Sequence, residues 1–201
     1  MKINSIKNQI NFGKTLVGKC SLPRQNHKKV ECNLFQLSTP EDKDYFERVW
    51  DRKDWQDAKY VWDMDAQLNA NIKGEKIYTM ESQAGHCLGY LVMSPVINNP
   101  KEEELVILET CPKYQKKNEN RTIKYIGETL LSFATGKLDP SKTRAIIIKN
   151  YSMIGRPFYK ENCGFKECND ENGTLILKRI DFKKLASTNE EHTKSKIRYI
   201  G

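Results

Sequence analysis

Along most of this chain apolar residues come in short alternating or continuous runs bounded by turn residues, a pattern that predicts strands more often than helices. Residues 15–22 and 30–37 read as two strands joined by a turn-rich connection from Pro23 to Lys28. Residues 76–80 and 87–93 read as an antiparallel pair turning at Gly85, followed by a loop from Pro95 to Pro100. The near-continuous apolar run 105–110 predicts a central strand, buried on both faces and stopped by Pro112. Residues 144–149 predict a second buried strand, and 165–168 with 174–179 a last hairpin turning at Asn172-Gly173.

The helical period appears in three places. Ser38 or Thr39 can cap a helix opening at Pro40, with Glu41 and Asp42 in its first turn and Tyr45, Phe46, Val49 and Trp50 along one face. Trp55, Ala58 and Trp62 continue the spacing on a second piece reaching toward Leu68. A helix over 123–138 would bury Ile126, Leu130, Leu131, Phe133, Ala134 and Leu138, and a short helix is expected near 156–161. Residues 1–13 read as an irregular arm and 181–201 as a polar tail, with 197–200 a candidate anchor. What lies between, 14–180, is expected to be one domain built on a mixed α/β sheet.

Composition narrows the partners. The net charge of +8 is concentrated at one end: residues 1–30 carry seven basic residues and no acid, while the remaining 27 basic residues face 26 acidic ones. That places the basicity in an N-terminal arm and leaves the body almost neutral, so a nucleic-acid partner using residues 1–30 is a secondary reading. No window approaches the roughly 18 apolar residues a membrane span needs, and the first residues lack the apolar core of a secretory signal, so a cytoplasmic protein is expected. The six cysteines, Cys20, Cys32, Cys87, Cys111, Cys163 and Cys168, have no scaffold-like spacing, and the three histidines are scattered, so neither disulfides nor a metal site is expected.

Two segments carry the functional signal. Ser152-Met153-Ile154-Gly155-Arg156-Pro157-Phe158-Tyr159, followed by a charged turn and Gly164-Phe165, lies directly after the apolar strand at 145–148. Upstream, Ile126-Gly127-Glu128-Thr129-Leu130-Leu131 opens the long helix. Together with the order of elements, these resemble the GCN5-related N-acetyltransferase superfamily over most of residues 15–180. The resemblance implies an acyl-CoA N-acyltransferase-like fold, three layers α/β/α around a mostly antiparallel, centrally splayed sheet. It also implies acetyl-CoA as co-substrate, its pyrophosphate held at a helix N-terminus by unpaired N–H groups. In the family's loop pattern Gly127 takes the second glycine position, Tyr125 the first, and Gln115 the Gln/Arg place after an extra stretch from Lys116 to Thr122. Thr110, Gln115, Tyr125, Ile126, Gly127, Glu128, Thr129 and Ser152 are therefore the candidate cofactor-binding residues.

Acetyl transfer to an amine needs a deprotonated nucleophile, a polarised thioester carbonyl and a proton for the departing thiolate. By resemblance Tyr159 is the candidate acid, against the alternative of a hydrogen-bonded core tyrosine. Glu109, a charge inside an apolar strand, is the candidate base if it faces a cleft, and a solvated carboxylate if it faces outward. Backbone N–H groups near Thr110 are implied to polarise the carbonyl. The expected acceptor is an amine-bearing small molecule or peptide; the nine acids against five bases over 39–70 would suit a cationic amine, against the alternative that they are the solvated faces of amphipathic helices. A family member that has lost catalysis and keeps only a binding or regulatory role is the rival reading.

Overall fold

The computed structural model describes residues 14–25, 28–38, 55, 74–115, 121–149, 155–168, 170 and 173–201. Nine strands form one sheet: β1 (Thr15–Pro23), β2 (Lys29–Leu37), β3 (Lys76–Ser82), β4 (Cys87–Val96), β5 (Asn99–Thr110), β6 (Ala145–Ile148), β7 (Lys166–Glu167), β8 (Leu175–Lys178) and β9 (Arg198–Tyr199). Their spatial order is β7-β8-β6-β5-β4-β3-β2-β1-β9. Every pairing is antiparallel except β5 with β6. The mixed α/β sheet expected from the sequence is the one that forms.

The hairpin of β1 and β2 is as expected, and it also relocates the charge. Of the seven basic residues before position 31, five lie in this described hairpin rather than in an arm, and Lys14 is bound through Nζ to both carboxylate oxygens of Glu81, at 2.6 and 2.7 Å. Residues 1–13, and with them Lys2 and Lys7, lie outside the described residues. The expected loop from Pro95 to Pro100 is instead the tip of a longer hairpin: β4 runs to Val96 and β5 begins at Asn99, leaving Ile97 exposed at the turn. Pro95 and Pro100 are tolerated because the ladder is irregular there, with a register shift between Pro95 and Val96.

Helix α1 (Ile126–Lys137) crosses from β5 to β6 and buries Ile126, Leu130, Leu131, Phe133 and Ala134 against the sheet. The first part of the segment expected to be a polar tail is in fact helix α2 (Arg179–Thr193), while the anchor expected at 197–200 forms as β9. Leu185 joins the main core, and β9 pairs with β1, opposing Gly18 to Tyr199. The Tyr199 ring stacks on Phe133 of α1, with centroids 5.4 Å apart. The period that decides this is Phe182, Leu185, Asn189 and Thr193, an i, i+3, i+7, i+11 series whose later members are polar and so escape a hydrophobic reading.

Two apolar layers result. The larger lies on the α1 and α2 face and includes Leu22, Leu34, Met80, Leu88, Phe133 and Ile146. The other face holds a second cluster of Leu37, Trp55, Ile77, Tyr90, Val92, Ile107 and Cys111. Trp55 is fully buried there, its Nε1–H donating to the carbonyl of Cys87 at 3.3 Å and its ring tilted against Tyr90. Trp50, Trp62 and the two helices expected over 40–68 otherwise lie outside the described residues.

Candidate functional site

The sheet opens at its centre. Strand β6 pairs with β5 only from Glu102 to Glu104, while β5 continues against β4 as far as Thr110. The outer half of β5 therefore has a partner on one side and a gap on the other. Cys111 donates its N–H to Leu88 O at 2.9 Å, and the antiparallel alternation then turns the N–H groups of Leu108 and Thr110 away from β4, toward that gap. This is the central splay expected from the resemblance, and it supplies backbone donors where an acyl oxygen would need them.

The start of α1 is brought to the same place. Tyr125 precedes it in the left-handed conformation (φ 64°), and its carbonyl accepts the N–H of Thr129 at 2.9 Å, which closes the first turn. A methyl group built on Gly127 would lie 3.4 Å from the Phe158 ring, 3.6 Å from Thr110 Oγ1 and 3.8 Å from Leu108. Thr110, Gly127 and Phe158 thus meet at the mouth of the gap. The N–H groups of Ile126, Gly127 and Glu128, lacking intrahelical acceptors, form a donor set of the kind that holds phosphate.

Those methyl distances are ordinary contacts, so Gly127 is not what lets α1 approach the sheet. Gly89 on β4 does that. A Cβ there would sit 2.8 Å from the Glu109 carbonyl oxygen, 2.9 Å from Ile126 and 3.1 Å from Leu130. The sequence carried a signal for it, since an isolated glycine inside a strand marks close approach.

Other candidate residues are placed differently from expectation. The side chain of Gln115 folds back, its Nε2 donating to Thr110 O at 2.9 Å, and so caps the strand end beside the gap. Glu128 and Thr129 point their side chains away from any ligand at the helix start. Both are buried against α2, Glu128 with its oxygens 3.0 and 3.1 Å from His192 Nδ1 and Thr129 with its hydroxyl 2.7 Å from Asn189 Oδ1. Of the two, only the Glu128 backbone N–H remains available to a cradle, since that of Thr129 is held by the Tyr125 carbonyl. Burial pushes the Glu128 carboxyl above its ordinary range, against the opposing pull of His192. Tyr125 stacks on the His192 ring with centroids 4.9 Å apart. Ser152 lies outside the described residues, as do 116–120 of the extra loop.

Tyr159 sits in a short π-helical turn (Phe158–Asn162), with Phe158 and Phe165 edge-on to its ring at 5.2 and 5.8 Å. Its N–H donates to Gly155 O and its carbonyl accepts from Phe165 N. Gly164, at φ 78°, turns the chain from that helical turn into β7. Glu109 does not take the outward placement: it is 4 % exposed, on the Trp55 face, and accepts the Tyr90 hydroxyl at 3.0 Å. It is buried rather than solvated, and on the face opposite to Thr110 and Gly127. Cys111, buried at the end of β5, belongs to the same layer. Among the described residues no three metal-binding side chains converge, and no described helix is long and apolar enough to cross a membrane.

No protein-family model and no curated protein matches this sequence. Solved structures do match in shape. An acetyltransferase of the GNAT family from Desulfovibrio desulfuricans superposes with a TM-score of 0.54 at 13 % identity, over 74 % of this chain and 99 % of that one. AtaTR bound with AcCoA gives 0.53 at 18 % identity, over 76 % and 97 %. A spermidine N-acetyltransferase chimera of Vibrio cholerae SpeG and hSSAT gives 0.50 at 12 % identity, over 76 % and 98 %. In each pairing nearly the whole of the other protein is matched while about a quarter of this chain is extra. With its splayed sheet and the helix start at the gap, the chain has the fold of the GCN5-related N-acetyltransferases.

Proposed function

We propose that this protein is an acetyl-CoA-dependent N-acetyltransferase that transfers acetyl to a primary amine by direct attack in a ternary complex. The observation that carries the reading is the convergence at the gap: Thr110 N–H turned into it, and the first turn of α1 meeting Thr110 and Phe158 at Gly127. A thioester donor lying along the gap would place its phosphates at the N–H groups of residues 126–128 and its carbonyl toward the N–H of Thr110. The amine nitrogen attacks the carbonyl carbon, the tetrahedral oxyanion is held by the backbone donors, and the C–S bond breaks to release the thiolate. Tyr159 is the acid proposed to protonate that thiolate. Glu109, held by Tyr90, is the base proposed to take the amine proton from the Trp55 face. Being buried on the opposite face, Glu109 acts through an intervening water in this scheme. The similarity to a protein bound with AcCoA and to a spermidine N-acetyltransferase supports the donor and an amine as acceptor.

A thermal-shift titration tests the donor site directly. Acetyl-CoA at about 100 times its dissociation constant should add about 2.7 kcal/mol, and free thiol should appear when an amine acceptor is supplied. A second reading is favoured by the opposite-face placement of Glu109 and Thr110: a member of this fold that binds a thioester without turning it over. Stabilisation by acetyl-CoA with no thiol release for any primary amine would select that reading, and no stabilisation at all would reject both.

A further inference from the structure

Cations are gathered along the β1 edge of the sheet, and we propose that this edge docks a duplex nucleic acid by its phosphate backbone. A role of this kind does not depend on the thioester-binding reading above.

Tertiary contacts bring the cations together from four stretches of sequence. At one end of the edge Lys19 of β1 stands directly opposite Arg198 of β9, and both are exposed. The chain reaches β9 from α2 through Lys194, in the left-handed conformation (φ 50°), whose carbonyl accepts the Lys29 ammonium at 2.6 Å. Lys196 follows, exposed, and the Ser195 hydroxyl between them accepts the N–H of Ser21, which ties this segment along β1. At the other end Arg24 bridges Ile123, the Gln25 N–H donates to Thr122 O at 2.9 Å, and the Lys124 N–H donates to Pro23 O at 3.4 Å. The stretch leading into α1 is thereby fixed to the hairpin tip, and Arg121 and Lys124 join Arg24 and Lys28 there.

Nine basic residues in this strip face three acids, Glu31, Glu190 and Glu191, whereas the other 25 basic residues of the chain are matched by 23 acids. The acids leave the charge largely open. Arg198 and Glu31 are 3.8 Å apart and Lys196 and Glu190 3.6 Å apart, with side chains 44–79 % exposed, and pairs so exposed contribute little. Among the described residues Lys19, Arg24, Lys28, Arg121 and Lys124 have no acid within ion-pair distance. Like charges directly opposite across two strands weaken the pairing, so Lys19 against Arg198 costs the free edge stability and is relieved when a phosphate lies between them.

The shape of the strip selects the partner. From Lys19 to Arg24 the strand spans roughly 17 Å, the axial length of about five phosphates on one strand of a duplex. The nearest rings, Tyr125 and Tyr199, are already stacked on His192 and Phe133, so the strip offers no platform for the unpaired bases of a single strand. Ile197 packs inward on the core, which leaves the cations of 194–198 without an apolar anchor between them for a membrane surface. Contacts to phosphate alone carry no base sequence.

Fluorescence anisotropy of the full chain with labelled DNA and RNA duplexes of about 20 base pairs, from about 50 to about 200 mM salt, tests the surface. At least one duplex should bind, with log affinity falling against log salt at a slope of about −4 to −5. Lys19→Gln with Arg198→Gln, and Lys28→Gln with Lys29→Gln, should each flatten that slope by about 2 and lower affinity at the lowest salt by about tenfold or more. The control, Lys101→Gln with Lys178→Gln, removes the same charge from exposed residues on β5 and β8 and should keep the wild-type slope. Equal losses in the control and the strip variants would overturn the proposal, since net charge and not this edge would then govern binding. Failure of both duplexes to bind at the lowest salt would overturn it outright, and binding to phosphatidylserine vesicles but to neither duplex would assign the edge to a membrane surface instead.

Discussion

Replacing Gly89 with alanine separates the packing argument from the motif argument. A Cβ at 89 would lie 2.8 Å from the carbonyl oxygen of Glu109, in the adjacent strand, and 2.9 and 3.1 Å from Ile126 and Leu130. The carbonyl belongs to the central ladder and cannot turn aside without breaking its pairing, so relief must come from α1 lifting off β4 and β5. Overpacking of this kind costs about 1–3 kcal/mol, and each kcal/mol lowers the melting temperature by about 2–4 °C in a chain of this size. Because Ile126 is the first residue of α1, the same shift moves the helix start away from Thr110, and acetyl-CoA affinity should fall along with stability. Gly127→Ala is the control. Its methyl meets nothing closer than 3.4 Å, and alanine is favoured over glycine in a helix by up to about 1 kcal/mol, so stability should be unchanged or slightly raised. Urea denaturation and calorimetric titration on both variants decide the matter. A neutral Gly89→Ala beside a disruptive Gly127→Ala would refute the claim that Gly89 sets the approach of α1.

Three further outcomes are expected. Trp55→Ala should destabilise by about 3–5 kcal/mol, since the ring is fully buried between Tyr90 and the Cys87 carbonyl; a loss below about 1 kcal/mol in denaturant would show that this layer collapses freely. Tyr159→Phe should retain acetyl-CoA binding and lose about 10²-fold or more in turnover if the hydroxyl is the acid, a split read by calorimetry and a thiol-release assay on one preparation; full turnover would remove it from the mechanism. Burial raises the Glu128 carboxyl above its ordinary value, so the folded protein holds that proton more tightly than the unfolded chain, and the stability this gives is present at low pH and lost as pH rises through the folded value. Glu128→Gln should therefore gain on the wild type in melting temperature between about pH 4.5 and neutrality; a constant difference across that range would mean the carboxyl is not shifted upward.

Much of the frame was legible from local patterns. The alternating runs of β1 to β4, the apolar run of β5, the periodic face of α1 and the Gly164-Phe165 exit each have a local cause, and each formed close to where the sequence put it. The resemblance carried by 126–131 and 152–165 named the right fold. What local patterns left undetermined was which way side chains face and what distant segments do. Glu128 and Thr129 sit inside a motif for phosphate binding, but their side chains are claimed by His192 and Asn189, 64 and 60 residues away. Gln115 likewise turned back on Thr110, and 181–201 read as a tail because the partners of its buried polar residues lie on another helix. Local spacing, then, determined most of the elements and their order, and the resemblance the fold. The splay between β5 and β6, the face taken by Glu109, the glycine that seats α1 and the partners of Glu128 and Thr129 were decided by tertiary structure, because pairing register and burial depend on contacts between segments that no local pattern records.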